Sequence, residues 1–351
     1  MGIIESIRGV MWARRNQPDE VAYVLGASHE RFHPTELVRQ AVLAEQAGFD
    51  GVAASDHLTP WWQPETAPAY CGNAWVWLGA AGQATNNIAL GTGVTGLVHR
   101  YNPVVVAQQI ATVEAMFPGR AFLGVGSSEA MNEVPAGMDW PSTGEQLART
   151  EEALTIIGRL LDGETVDFAG QYFTTHGARL YLRPERRPPI FLSAFHEQAA
   201  EVAGRLADGV WTLADPKAAP RVIAAYRRGA EEADRAPGEI ILQSLAAVDD
   251  SDDAALEASR EWKASLPGEL YTDDIHEPAD IEDRANDVSD RLFTASNMVS
   301  ADPDSHVRKL RLMGELGASA IVVVNASGRV PESMIRLYGE HVLPALRGDE
   351  D

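Results

Sequence analysis

The sequence is poor in the residues that most often announce a chemistry. It has a single cysteine, Cys71, which excludes an intrachain disulfide and a cysteine-cluster metal site and predicts a reducing, cytoplasmic setting. Lysine occurs only at Lys217, Lys263 and Lys309, and all basic residues together number 29 against 51 Asp and Glu, a formal net charge of -22. A field of that sign disfavours nucleic acid or an anionic membrane surface as a partner. Any anionic ligand must then be held by local donors. No apolar run approaches the length of a membrane span. Arg14-Arg15 is followed by no apolar core, and Met1-Gly2-Ile3-Ile4-Glu5-Ser6 lacks the context of an acylation signal, so residues 1–19 read as an N-terminal extension.

From residue 20 to 351 strand-like and helical segments alternate, and this rhythm predicts one large α/β domain. Eight strands are expected: Val21–Leu25, Phe49–Ala54, Ile88–Thr92, Ala121–Gly126, Pro189–Ser193, Gly209–Leu213, Ile240–Val248 and Ala320–Val324. Each is followed by a helical pattern, several opened by proline at the first turn, as at Pro34 and Pro103. Eight units in order favour a (β/α)8 TIM barrel over an open doubly wound sheet. Two stretches depart from the rhythm. Residues 162–188 predict a β-hairpin before strand five, with strands Thr165–Phe168 and Gln171–Thr174 about a turn at Ala169-Gly170. Residues 249–302 read as an acidic, irregular insertion before strand eight, helical only over Ala254–Ser265. One helix over Glu332–Leu346 is expected to close the chain.

In a barrel the eight strand ends meet on one face, and chemistry collects there. That rule brings together Glu30, Asp56-His57, Gly93 to Gly96, Ser127-Ser128-Glu129, Phe195-His196 and the segment from Trp211 to Lys217. His57 titrates near neutrality and suits general acid–base work, with Asp56 able to orient it or to bind a ligand donor. Each also has a plainer reading: Asp56 as a loop cap, His57 as a polar contact, Trp61 as core, Glu129 as a loop carboxylate. A metal is not expected, because too few His and carboxylate ligands come from separate strand ends. Leu123-Gly124-Val125-Gly126-Ser127-Ser128 lacks the third glycine of a dinucleotide fingerprint and follows the fourth strand, which excludes a Rossmann site. The small residues at Gly91, Gly93, Gly96 and this segment instead let a flat, anionic, ring-containing ligand approach the backbone. Its phosphates would rest on helix N-termini, foremost the one after Ala194.

Taken together, Ser55-Asp56-His57 with Pro60-Trp61, Leu90-Gly91-Thr92-Gly93-Val94, Arg100-Tyr101-Asn102-Pro103 and the run from Gly124 to Glu133 resemble the luciferase-like flavin and deazaflavin oxidoreductase superfamily. The likeness is greatest to its coenzyme F420-dependent glucose-6-phosphate dehydrogenase branch and covers nearly the whole chain after about Ala22. It implies a barrel homodimer that passes a hydride between a substrate carbon and the deazaflavin at the C-terminal face. His57 would take the proton of a substrate hydroxyl, Trp61 would wall the site, and Glu129 would manage the proton on the deazaflavin. Asp56, Gly93, Val94, Gly96, Ser127, Ser128 and Asn132 fall at cofactor positions, with a cis peptide expected between Gly93 and Val94. Phe195-His196 stands where the sugar-phosphate enzymes carry a glycine pair, so the cofactor's phosphate region is shaped differently. Of the branch's substrate-phosphate positions, one lysine is Thr272 here, another persists as Lys217, the arginine as Arg291, and a threonine position is Leu213. Glu30, Lys217 and Arg291 are the expected substrate contacts, with Arg291 reaching in from an insertion that roofs the pocket.

The expected function is thus a coenzyme F420-dependent dehydrogenase of an alcohol or a sugar phosphate. The same site run in reverse would make a reductase of an activated double bond or carbonyl. With FMN in place of F420 it would be a reduced-FMN monooxygenase, and a barrel that only carries the cofactor is the non-enzymatic alternative.

Overall fold

The computed structural model describes residues 20–328 and 330–348; the expected extension at 1–19 lies outside them. Eight parallel strands close on themselves: β1 (Ala22–Ala27), β2 (Gly51–Ala54), β3 (Ala89–Gly96), β4 (Ala121–Gly126), β7 (Ile190–Ser193), β8 (Gly209–Leu213), β9 (Glu239–Ala247) and β11 (Ala320–Asn325). β8 pairs with β9, β9 with β11 and β11 with β1, which completes a (β/α)8 barrel. The expected strands agree with these to within a few residues at each end.

Alternation within each strand sorts its residues between two cores. Ala22, Val24, Ala53, Ala89 and Ala320 point inward from one side, and Phe122, Phe191 and Trp211 fill the space from the other. Small residues opposite aromatic ones pack the barrel axis without a pore. Leu25, Val52, Leu90, Leu123, Leu192, Val210 and Leu242 face outward into the layer beneath the helices.

Those helices begin where their caps dictate. Helix α1 (Pro34–Ala47) starts at His33, which accepts from Thr35 N–H, and ends at Gly48 in the left-handed region. Helix α2 is Ala74–Ala84, and α3 (Pro103–Met116) is capped by Asn102. A single turn, α4 (Ala130–Glu133), follows β4, and α5 spans Thr143–Leu161 behind the Ser142 cap. Helices α6 (Glu197–Leu206) and α7 (Ala219–Glu232) follow β7 and β8.

The hairpin is present as β5 (Val166–Ala169) and β6 (Thr174–Ala178), with its second strand beginning three residues later than expected. The carboxylate of Glu152 on α5 accepts the N–H groups of Gln171, Tyr172 and Phe173, which takes them out of the ladder. The acidic insertion is more ordered than its composition predicts. It folds as α8 (Asp252–Ala258), two 3-10 segments, α9 (Pro278–Ala285), α10 (Asp290–Ser296) and the short strand β10 (Met298–Val299) on β9. A separate core of Trp62, Trp262, Leu270, Ile281 and Phe293 holds it, and Trp61 belongs to that core. Helix α11 (Pro303–Glu315) restores the repeat. The expected closing helix is instead α12 (Glu332–Leu337), a π turn over Tyr338–Val342 and α13 (Leu343–Arg347). Pro344 has no N–H for the regular ladder, and the widened turn accommodates it.

Candidate active site

Beyond the C-terminal ends of the strands lies a cavity of about 280 Å³. All three expected catalytic residues line it, and so do all nine expected cofactor residues: His57, Trp61 and Glu129, with Asp56, Gly93, Val94, Gly96, Ser127, Ser128, Asn132, Phe195 and His196. The bond between Gly93 and Val94 is cis. Pairing of β3 with β4 slips there and resumes at Thr95.

The floor depends on missing side chains. A Cβ on Gly96 would stand 2.4 Å from Ser128 Cβ and 2.6 Å from its Oγ, and one on Gly93 would stand 2.8 Å from the Trp211 ring. Ser128 itself sits at φ 70, so the turn after β4 is tightly drawn against β3. The missing Cβ atoms thus let the Ser128 turn and the Trp211 ring close against β3, which shapes the floor. Around it are neutral hydrogen-bonding side chains, Thr143, Gln146, Thr150, Ser193 and Gln198, and α6 opens beside them. A planar heteroaromatic ring with a polar tail fits this donor set.

His57 is held from several sides. Its Nε2 lies 3.6 Å from Glu30 Oε1, and its ring packs on Trp61 with centroids 4.9 Å apart. Burial, reinforced by the charge of Arg100 and opposed by the Thr59 backbone, lowers its pKa to about 3. The imidazole is therefore neutral at pH 7 and free to accept a proton. Burial raises Glu30 to about 7 although Ser55 Oγ donates to its Oε2 at 2.8 Å. Glu129 is also raised to about 7, by burial against the pull of the Asn132 amide. Asn132 Nδ2 donates to Glu129 Oε2 at 2.8 Å while its Oδ1 accepts Leu58 N–H at 2.8 Å, which ties the carboxyl to the loop carrying His57.

Asp56 lines the cavity with its carboxylate already engaged. Thr95 Oγ1 donates to Oδ2 at 2.8 Å, Tyr101 hydroxyl to Oδ1 at 3.2 Å, and Arg100 Nη2 stands 3.5 Å from Oδ1. Its dominant contacts are thus internal. Burial lifts its pKa and Arg100 opposes the rise.

The three expected substrate contacts lie elsewhere. Glu30 is 2 % exposed, packed behind His57, and does not line the cavity. Lys217 is exposed on the loop after β8, where its N–H donates to Asp215 Oδ1. Arg291 is exposed on α10 and is also absent from the lining. The insertion does roof the cavity, through Tyr271 and Thr272. Tyr271 hydroxyl donates to Ser265 O at 2.9 Å, and Trp140 Nε1 donates to Thr272 O at 3.1 Å. Tyr271, Gln146 and Gln243 carried no signal in the sequence as site residues, since neither periodicity nor a motif marks them. Among the described residues, no group of His, Cys, Asp and Glu is placed to hold a metal ion. No helix among them is long and apolar enough to cross a membrane.

Comparison with known proteins places this geometry among relatives. Residues 8–320 match the profile of the Luciferase-like monooxygenase family. The chain is 37% identical over 326 residues to the F420-dependent glucose-6-phosphate dehydrogenase of Microbacterium testaceum (strain StLB037), covering 92% of this chain and 96% of that protein. It is also 37% identical to the enzyme of the same name from Nakamurella multipartita, over 94% of this chain and 98% of the relative. Among solved structures, an F420-dependent secondary alcohol dehydrogenase in complex with an F420-acetone adduct is 33% identical with a TM-score of 0.89, over 93% of this chain and 99% of that one. The chain belongs to the luciferase-like monooxygenase family.

Proposed function

We propose that this protein is a coenzyme F420-dependent oxidoreductase that moves a hydride between the carbinol carbon of an alcohol and the deazaflavin. The observation that carries the reading is one cavity in which a neutral imidazole, packed on Trp61, shares the wall with a carboxyl group raised to about 7. The two F420-dependent dehydrogenases and the F420-dependent secondary alcohol dehydrogenase that it resembles support the same chemistry. Gly93, Gly96 and the Ser127-Ser128 turn would hold the ring, with Asn132, Phe195 and His196 around it. Coenzyme F420, when bound, supplies a two-electron acceptor for hydride. His57 takes the hydroxyl proton as the hydride leaves carbon, so the alcohol becomes a carbonyl compound. Glu30, 3.6 Å from Nε2, stabilises the imidazolium so formed. Glu129 holds or yields a proton on the cofactor side.

In this reading the protein is a cytoplasmic homodimer. Its lone cysteine suits a reducing compartment, and exposed Tyr70, Val76 and Val105, on or beside α2 and α3, offer an apolar face for a second copy. Fluorescence titration of the purified protein with F420 tests the proposal. Saturable binding is expected, with His57→Ala keeping affinity while kcat falls about 10²- to 10⁴-fold. Absence of binding, or full turnover by His57→Ala, would sink it.

A further inference from the structure

We infer that the alcohol taken by this site is uncharged, carries no phosphate, and packs an apolar substituent against Tyr271 and Phe195. The inference rests on the F420-dependent reading and narrows it to a substrate class. From His57 an unbroken run of rings leads under the roof: His57 to Trp61 at 4.9 Å, Trp61 to Tyr271 at 6.1 Å, and Tyr271 to Phe195 at 5.0 Å in an edge-on contact. Leu213, the last residue of β8, lines the same cavity as Phe195. Whatever is bonded to the carbinol carbon meets these surfaces.

A phosphoryl group needs charge-assisted donors, usually arginine or lysine, or a helix N-terminus to offset the loss of its hydration, and the N-terminus of α6 is the one the cofactor's own phosphate would take. Among the described residues, no lysine or arginine lines the cavity. The described cations around it are engaged or remote. Arg100 is turned to the side chain and carbonyl of Asp56, Arg31 is paired with Glu261 at 2.7 Å, and Lys263 is paired with Asp290. Lys217 and Arg291 are exposed away from the lining. Thr272, the polar side chain of the roof, has its hydroxyl 3.3 Å from Glu269 O and 2.9 Å from Asp273 Oδ1, so it donates into the roof itself.

The field of the roof acts in the same direction. Residues 249–302 carry 16 Asp and Glu against 4 Lys and Arg, which is 12 of the chain's 22 net negative charges. A dianion approaching through this segment is repelled, whereas a neutral alcohol is indifferent to it. The chain is thereby set apart from those relatives whose names specify glucose 6-phosphate.

The test uses the full chain loaded with F420, after binding has been established by titration. The kcat/KM values of 2-propanol, 2-butanol and cyclohexanol are compared with that of glucose 6-phosphate. Glucose 6-phosphate and inorganic phosphate are also tried as inhibitors and as additives in thermal melting. The expected result is turnover of the neutral alcohols with kcat/KM at least about 100-fold above the sugar phosphate, and no inhibition or melting shift by either anion at about 1 mM. Phe195→Ala should raise KM for cyclohexanol by about tenfold and for 2-propanol by less. Glucose 6-phosphate turned over as well as the best alcohol overturns the inference. So does its saturable inhibition below about 1 mM, or F420 bound with no neutral alcohol oxidised. An unchanged cyclohexanol to 2-propanol ratio in Phe195→Ala overturns the role of the aromatic wall. Failure to bind F420 at all falls on the functional reading first, which keeps the two distinguishable.

Discussion

Burial is the first cause that displaces the titratable side chains in and behind the cavity, among them His57, down to about 3, and Glu30 and Glu129, up to about 7. The signs matter. Lowering the pKa of a base keeps His57 unprotonated and ready through neutral pH, whereas raising an acid leaves Glu129 half protonated near pH 7. If its protonated form is the working one, kcat/KM has no acid limb near 6.5 and declines above about pH 7. Glu129→Gln, which keeps the donor and removes the titration, should flatten that decline, as a pH profile of both proteins would show. A decline that survives the substitution belongs to Glu30, the other carboxyl in the same range. For stability the same shift means that the folded chain holds a proton the unfolded chain has released between about pH 4.5 and 7. Glu129 therefore favours the fold below that window and loses this contribution as pH rises through it.

At the scale of elements, the site is a product of how closely β3 and β4 approach beyond their ladder. Gly96 at the end of β3 admits the Ser128 turn, and a methyl group there would overlap Ser128 Cβ at 2.4 Å. Gly96→Ala should displace the turn after β4 and weaken F420 binding by about tenfold or more, while the melting temperature changes little, because the clash lies at a strand end instead of in the barrel core. Affinity by titration together with a thermal melt checks it; unaltered affinity would mean that the turn relaxes without touching the ligand. The insertion is the second decisive element. It brings Tyr271 over the cavity and shares Trp61 with its own core, so Trp61 is both a packing residue and a wall of the site.

At the scale of the whole molecule, a net charge of -22 surrounds a pocket for a cofactor that is itself anionic. Added salt screens that repulsion over a Debye length of about 10 Å at 0.1 M. The association rate of F420 in stopped-flow fluorescence should therefore rise with ionic strength; a fall would reveal local positive steering. The barrel was legible in the sequence because parallel strands buried on both faces read as short apolar runs, eight times over, with proline marking several helix starts. That the expected catalytic and cofactor residues share one cavity was legible because strand ends converge in such a fold and because Asp56-His57 and Gly124 to Glu133 are contiguous motifs. Only the tertiary structure showed that the three expected substrate residues do not line the cavity. Glu30, Lys217 and Arg291 have the right chemistry and the right neighbourhood in the chain, yet Glu30 lies behind His57 and the two cations point to solvent. Tyr271, in an acidic stretch with no periodicity, ends up against Trp61 and Phe195. The physical reason is that strand positions follow from local alternation and repeat, whereas the reach of a long side chain and the docking of an irregular segment depend on contacts between residues far apart in sequence.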